Sequence, residues 1–212
     1  FLSLFREHKH GRDAHSQALM SRRNPAARSM QIIELPFPEL ILFTPKRFFD
    51  SRGFFTELFN AEKLASLGIK ETFVQDNFSL SERAGTVRGF HFQAPPYAQA
   101  KLVHVGHGSI LDVVIDLRRS SPTYGQHVAV QMSAVNGRQL YIPEGFAHGF
   151  CTLAPNTEVV YKVSSYYAPE AEGGIRWSDP DLKIDWPVGN EDAIVSEKDA
   201  KLPLLKDLAP VF

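Results

Sequence analysis

From Met30 onward the chain is a procession of short apolar runs, each cut off by a turn signal, and this limits the fold more than any other feature. ELILFTPKRFFD is followed by SRG and then FFTELF. Later come ETFVQDNFSL, TVRGFHFQ, AKLVHV, SILDVVIDLR, QHVAVQMS, RQLYIP, FAHGFCTL and TEVVYKVSSYY. Most are rich in Val, Ile, Phe and Tyr and are bounded by Gly, Pro, Asn or Ser. Branched and aromatic side chains suit a pleated, half-buried surface, and evenly spaced short strands predict an all-β sandwich or barrel. The stretch NAEKLASLGI stands apart: Leu64, Leu67 and Ile69 recur at helical spacing, with Asn60 as N-cap. The end, SEKDAKLPLLKDL, reads as a short helix or turn leading to a packed terminus. No repeat and no low-complexity tract interrupts the pattern.

A chain of 212 residues fits one domain, or one domain with a tail. We read residues 30–212 as a single domain. Residues 1–29 carry more Lys and Arg than Asp and Glu, show weak periodicity and contain the helix-breaking Asn24-Pro25. They read as a poorly ordered tail, with a targeting peptide, an extension or a cloning remnant as other readings; a signal peptide's long apolar stretch is missing. The 43% hydrophobic content, including 16 phenylalanines, is enough for a real core. A formal net charge of -1 gives no global attraction to nucleic acid or to an anionic membrane. No apolar run approaches the roughly 20 residues that span a bilayer. Cys151 is the only cysteine, which excludes an internal disulfide and fits a reducing, cytoplasmic setting.

Two glycine-led segments carry histidines. Gly85 is followed after five residues by His91, and Gly137-RQLYI-Pro143-Glu144-Gly145-Phe146-Ala147-His148 repeats a glycine, proline, glycine, histidine spacing. Both resemble the two motifs of the cupin superfamily, a double-stranded β-helix related to the jelly roll, which implies such a barrel here with a few short helices. Metal-binding cupins usually take HxH plus a glutamate from the first motif and a histidine from the second. Here the first motif reads His91-Phe92-Gln93, and no acid follows in the next stretch. His91 and His148 fall short of the three protein ligands a catalytic metal needs. His104 reads as a strand residue, and His107 sits in a glycine turn. No metal is expected, and His91 is left either as a satisfied core histidine or as a base.

The run from Phe48 to about Leu205 narrows the resemblance. DSRGFFTELFN, QDNFS, GTVRGFHFQAPPYAQAKLV, DVVIDLRRSSPTYG, YIPEGFAHGF, TEVVYKVSSYYAPEAEGGIRWSDP and SEKDAKLPLL are similar, in order and spacing, to the dTDP-4-dehydrorhamnose 3,5-epimerase family. Such an enzyme removes a proton beside a C4 ketone, holds the enolate and reprotonates the opposite face, which requires a base, an acid and a cation or donor at the enolate oxygen. The resemblance implies His91 as base, Asp199 as its carboxylate partner, Lys101 at the keto oxygen and Tyr161 as acid on the far face. It implies Arg88 and Arg52 on the diphosphate and Tyr167 against the nucleotide base, with Phe54 added to that pocket. Glu57, Gln75, Asn77, His148, Glu172 and Lys198 match further nucleotide or sugar contacts. Asp112 is an odd acid for its strand, and its expected place is near Lys101 or the sugar. No cofactor is implied, and neither a dinucleotide GxGxxG nor a P-loop is present. The implied partners are a small-molecule nucleotide sugar and a second copy of the chain, in a homodimer that exchanges an N-terminal strand.

Perfect alternation puts Arg88 and His91 on opposite faces of one strand, although one ligand should meet both. Gly89 between them permits a bulge or strong twist, or else Arg88 reaches round the barrel mouth. Phe92, Ala100 and His127 depart from the family's commonest residues, and enzymes acting on C3 or C5 alone, ketoisomerases and a non-catalytic sugar-nucleotide binder stay as rival readings.

Overall fold

Pleated segments of alternating or wholly apolar character can hide their side chains only by facing one sheet with another, and the computed structural model, which describes residues 30–212, shows that solution. The tail expected over residues 1–29 lies outside the described residues. Contacts divide the described chain into two compact units: residues 30–31 with 46–70, and residues 32–45 with 71–212. The run ELILFTPKRFFD, read as one segment, is split after Pro45 between the two units.

In the smaller unit, β3 (Arg47–Asp50) and β4 (Gly53–Thr56) form a hairpin around Ser51-Arg52, with Phe48 opposite Phe55 and Phe49 opposite Phe54. Helix α1 (Ala61–Ser66) begins where expected. The Asn60 side chain accepts the Lys63 N–H at 3.0 Å, and Glu62 in the first turn suits the positive end of the helix. The helix closes earlier than the Leu64, Leu67, Ile69 spacing implies, because Gly68 turns the chain and Ile69 N–H returns to the Leu64 carbonyl at 3.0 Å.

The larger unit stacks two antiparallel sheets. One has the order β1 (Met30–Ile33, of which Ile32 and Ile33 belong to this unit), β2 (Ile41–Pro45), β10 (Gln139–Ile142), β7 (Lys101–His107), β12 (Thr157–Val163), β5 (Gln75–Ser81). The other has the order β13 (Glu172–Gly174), β6 (Val87–Gln93), β11 (Phe146–Thr152), β8 (Ser109–Asp116), β9 (His127–Ser133). Leu42, Val103, Leu140 and Val159 from the first sheet meet Ile110, Val114, Met132 and Phe150 from the second in the inter-sheet core. The second sheet has another covered face: Val87, Phe90, Val113, Ile115 and Cys151 pack under Ile175, Trp177 and Leu182 of the C-terminal segment. Burial on both sides explains why SILDVVID and FAHGFCT lack clean alternation, since every position there needs an apolar or paired side chain. β5, an edge strand, alternates strictly: Gln75, Asn77 and Ser79 turn inward, while Phe78 and Leu80 are exposed. Short α2 (Glu197–Ala200), capped by Ser196, lies in the segment expected to be a short helix or turn. Among the described residues no helix is long and apolar enough to cross a membrane.

The Arg88–His91 conflict is resolved by a bulge. On β11, His148 pairs with His91 and Phe150 with Arg88, so three steps on β6 are matched by two steps on β11. One extra residue brings Arg88 and His91 to the same cavity. Gly89 carries the distortion with φ of 115°, and a Cβ there would lie 2.6 Å from the Gly149 Cα and 2.7 Å from the His148 carbonyl oxygen. Both neighbours are backbone, so neither can swing away. Gly89→Ala should therefore destabilise the fold by about 2–4 kcal/mol, read as a lower urea midpoint at fixed protein concentration; an unchanged midpoint would show that the bulge tolerates a side chain.

Candidate active site

Between the inner faces of the two sheets lies a cavity of about 590 Å³, with walls from β5, β6, β7, β11, β12 and β13 and from residues 194–199. His91 comes from the five-stranded sheet, whereas Lys101 and Tyr161 come from the six-stranded one. The architecture thus places the imidazole and the phenol on different walls of one space.

His91 Nε2 lies 2.8 Å from Asp199 Oδ1, and Gly89 N–H donates to Oδ2 of the same carboxylate at 3.0 Å. The bulge matters twice here, because it turns the Gly89 N–H towards Asp199. Asp199 is held in turn by Ser196 Oγ, which accepts its backbone N–H at 3.1 Å in the helix cap. Burial pushes the Asp199 carboxyl up, yet the hydrogen bonds from His91 and the Gly89 N–H outweigh it and hold the acid below its usual value. An ionised carboxylate only accepts, so Nε2 carries the ring proton and Nδ1 is the basic nitrogen of neutral His91.

Lys101 is buried, and its Nζ donates to the His91 carbonyl at 3.2 Å. Desolvation lowers its pKa to about 8, against the opposing pull of the Asp112 and Glu172 charges. Tyr161 is raised above an ordinary phenol, chiefly by burial, with the nearby Arg88 charge working the other way. It remains protonated at neutral pH. Arg88 donates from Nε to Ser81 Oγ at 3.1 Å and from Nη2 to the Leu80 carbonyl at 3.0 Å. Both partners are neutral, so they aim the guanidinium without cancelling its charge.

At the mouth, Glu172 Oε2 accepts from Lys198 Nζ at 2.6 Å and from the Tyr167 hydroxyl at 2.8 Å. Burial would raise the Glu172 carboxyl, but these two donors hold it below the usual range. Gln75 and Asn77 line the inner face of β5 and are joined by a 2.9 Å hydrogen bond. Strict alternation through TEVVYKVSSYY would put Tyr167 on the same face as Tyr161, but β12 ends at Val163, and Tyr167 reaches the cavity from the segment beyond it.

Asp112 is near Lys101, as expected, and its charge acts on that ammonium, but it is not among the cavity's lining residues; fully buried, it pairs with His148, its Oδ2 lying 2.8 Å from Nε2. A carboxylate on a doubly buried strand needs such a partner, and the β8–β11 ladder supplies it because Phe150, opposite Asp112, is two residues from His148. Arg52, Phe54 and Glu57 belong to the smaller unit and are not among the cavity's lining residues: Arg52 pairs with Asp50 at 2.7 Å and Glu57 with Lys63 at 2.6 Å. Residues that the sequence reading missed include Ser79, Gln93, Gln99 and Ser196. Only Ser196 left a legible signal, the S-x-x-D pattern of a helix cap. Among the described residues no three His, Cys, Asp or Glu side chains cluster as a metal site.

The model of the dTDP-4-dehydrorhamnose 3,5-epimerase family matches residues 34–207. The chain is 49% identical over 171 residues to the dTDP-4-dehydrorhamnose 3,5-epimerase of Shigella flexneri, covering 80% of this chain and 93% of that protein. Among solved structures, the enzyme of that name from Bacillus anthracis, with TDP and PPi bound, is 51% identical with a TM-score of 0.80, covering 82% of this chain and 99% of that one. The dTDP-6-deoxy-D-glucose-3,5-epimerase from Legionella pneumophila, in complex with dTDP-4-keto-L-rhamnose, is 46% identical with a TM-score of 0.81, covering 85% and 95%. The chain is therefore an isomerase on a cupin-type barrel and belongs to the dTDP-4-dehydrorhamnose 3,5-epimerase family.

Proposed function

We propose that the cavity binds dTDP-4-dehydro-6-deoxy-D-glucose and inverts C3 and C5 to give dTDP-4-dehydro-L-rhamnose, in dTDP-L-rhamnose biosynthesis. The observation that carries this reading is the disposition of His91, Tyr161 and Lys101: base and acid on opposite sheets of one cavity, with a buried cation that donates to the His91 carbonyl. The C4 ketone acidifies the hydrogens on C3 and C5. His91 takes one such proton, the C–H electron pair moves into the carbonyl, and the Lys101 ammonium stabilises the enolate oxygen. Tyr161 then delivers a proton to the other face of the same carbon, which inverts it. His91 returns its proton to water and the phenolate regains one, after which the second carbon follows the same course. Electrons stay within the sugar throughout, so the reaction balances without an oxidant or reductant. Asp199 holds the imidazole tautomer and steadies the imidazolium.

Arg88 and Lys198 supply positive charge for the diphosphate, and Arg88 adds the planar fork that suits phosphate oxygens. Tyr167 serves as platform for the base, with Gln75, Asn77, Glu172 and His148 as the remaining contacts. A homodimer completes the site by lending Arg52 and Phe54 of the hairpin to the neighbouring subunit. In support, Phe49 and Phe55 on the hairpin are 74% and 70% exposed, and Phe78 on the edge strand β5 is 63% exposed, an arrangement that in water calls for a covering partner. The buried Cys151, the only cysteine of the sequence, fits a cytoplasmic setting.

Three outcomes follow. In D2O, proton NMR of the substrate should show deuterium at both C3 and C5; His91→Ala should abolish exchange at both carbons while dTDP still binds, and Tyr161→Phe should slow inversion but retain exchange on the base's side. Deuterium at one carbon only would make the enzyme a mono-epimerase, and normal turnover by both variants would refute the assigned roles. In the pH profile, kcat/KM should fall as pH rises through about 8, because Lys101 is the ammonium below that value and the neutral amine above it. Lys101→Arg, which keeps its charge, should shift this limb to higher pH; a limb that stays in place belongs to another group. In sedimentation equilibrium the protein should be a dimer and Phe78→Asp should shift it towards monomer, whereas a monomeric parent protein would remove the shared-site reading.

A further inference from the structure

Gln93 ends β6, two positions after His91, and is 4% exposed. A buried amide must satisfy two donors and an acceptor, and here every one is used. Nε2 donates to the Tyr97 carbonyl at 2.7 Å and to the Tyr166 carbonyl at 3.2 Å, and Oε1 accepts the Ala168 N–H at 2.9 Å. From the other sheet, Gln75 Oε1 accepts the Tyr167 N–H at 3.1 Å while its Nε2 is committed to Asn77. The Tyr166 carbonyl and the Tyr167 N–H belong to one peptide group, and the Ala168 N–H belongs to the next. Both peptide planes flanking the Tyr167 Cα are therefore gripped by glutamine side chains, one from each sheet. Residues 164–168 lie outside any strand, so no ladder performs this task.

We infer that Gln93 and Gln75 form a clamp that presets the backbone of Tyr167, and that Gln93 is a positioning residue for the nucleotide rather than a contact to it. The inference rests on the reading of Tyr167 as the base platform. Tyr167 is 54% exposed, so packing fixes little of its position. With its backbone set, the ring has only its few rotamers to choose from, and its hydroxyl selects among them by donating to Glu172. An aromatic ring on a loose segment must be ordered when the ligand arrives, at a cost in affinity; a clamped one has been ordered by folding. The clamp acts on binding and leaves proton transfer at His91 alone. Gln93 also stands at the HxH position where a metal-binding cupin would carry its second histidine. In this chain its polar atoms are all spent on backbone groups of the two segments 94–97 and 166–168.

The test is a double-mutant cycle on the full chain, reading dTDP affinity by titration calorimetry, steady-state constants, and hydrogen exchange of the Ala168 amide. Tyr167→Ala should weaken dTDP roughly tenfold or more, the range of base–aromatic stacking. Gln93→Leu should also weaken it about tenfold and raise KM to match, with kcat within about twofold and faster Ala168 exchange. Because Gln93 acts through Tyr167, the double variant should bind no more weakly than Tyr167→Ala alone. Additive losses, unchanged affinity in Gln93→Leu, or a fall in kcat at constant KM would each overturn the clamp. Should Gln93→Leu fail to fold, Gln93→Glu takes its place: it keeps the volume and the acceptor for Ala168 but sets a carboxylate oxygen against two carbonyls. Unchanged affinity in Tyr167→Ala sinks the platform reading and the clamp's role with it. A loss in Tyr167→Ala with normal Ala168 exchange in the Gln93 variant sinks the clamp alone.

Discussion

One extra residue in β6 is the constraint on which the site depends. A regular strand would send Arg88 and His91 to opposite faces and would spend the Gly89 N–H on the neighbouring ladder. The bulge reverses both outcomes, since the cation and the imidazole meet one cavity and the N–H turns to Asp199. Glycine is required because Gly149 crosses so closely that no Cβ fits between the backbones. A local irregularity thus sets the position of the imidazole and, through its partner, the tautomer of that ring.

The site is also a study in how burial is used selectively. Lys101 is desolvated without a direct carboxylate contact, so its proton is held loosely. Asp199 is desolvated yet receives enough donors to stay ionised. Tyr161 is desolvated and stays neutral. Burial thus shifts Lys101 and Tyr161 towards their neutral forms, and only at Asp199 do hydrogen-bond donors override it.

Much of the fold could be read in the sequence because period-two alternation and turn residues are local signals. β5 and the Asn60 cap carry their evidence within a few residues. Of the site, the family resemblance names His91, Lys101, Tyr161 and Asp199, and all four line one cavity. What stayed hidden is what depends on pairing between distant strands. Asp112 found its partner through the β8–β11 register, which no local pattern encodes. The choice between bulge and detour for Arg88 required the two-against-three count with β11. Alternation cannot place Tyr167 either, because β12 ends four residues before it.

The C-terminal segment draws two tasks together. Its apolar residues Ile175, Trp177 and Leu182 cover the outer face of the five-stranded sheet, and farther along it Asp199 reaches His91. One segment is thus both the roof of the second core and the source of the carboxylate that orients the base. A molecule that has not finished folding exposes a greasy sheet and has an untuned histidine at the same moment.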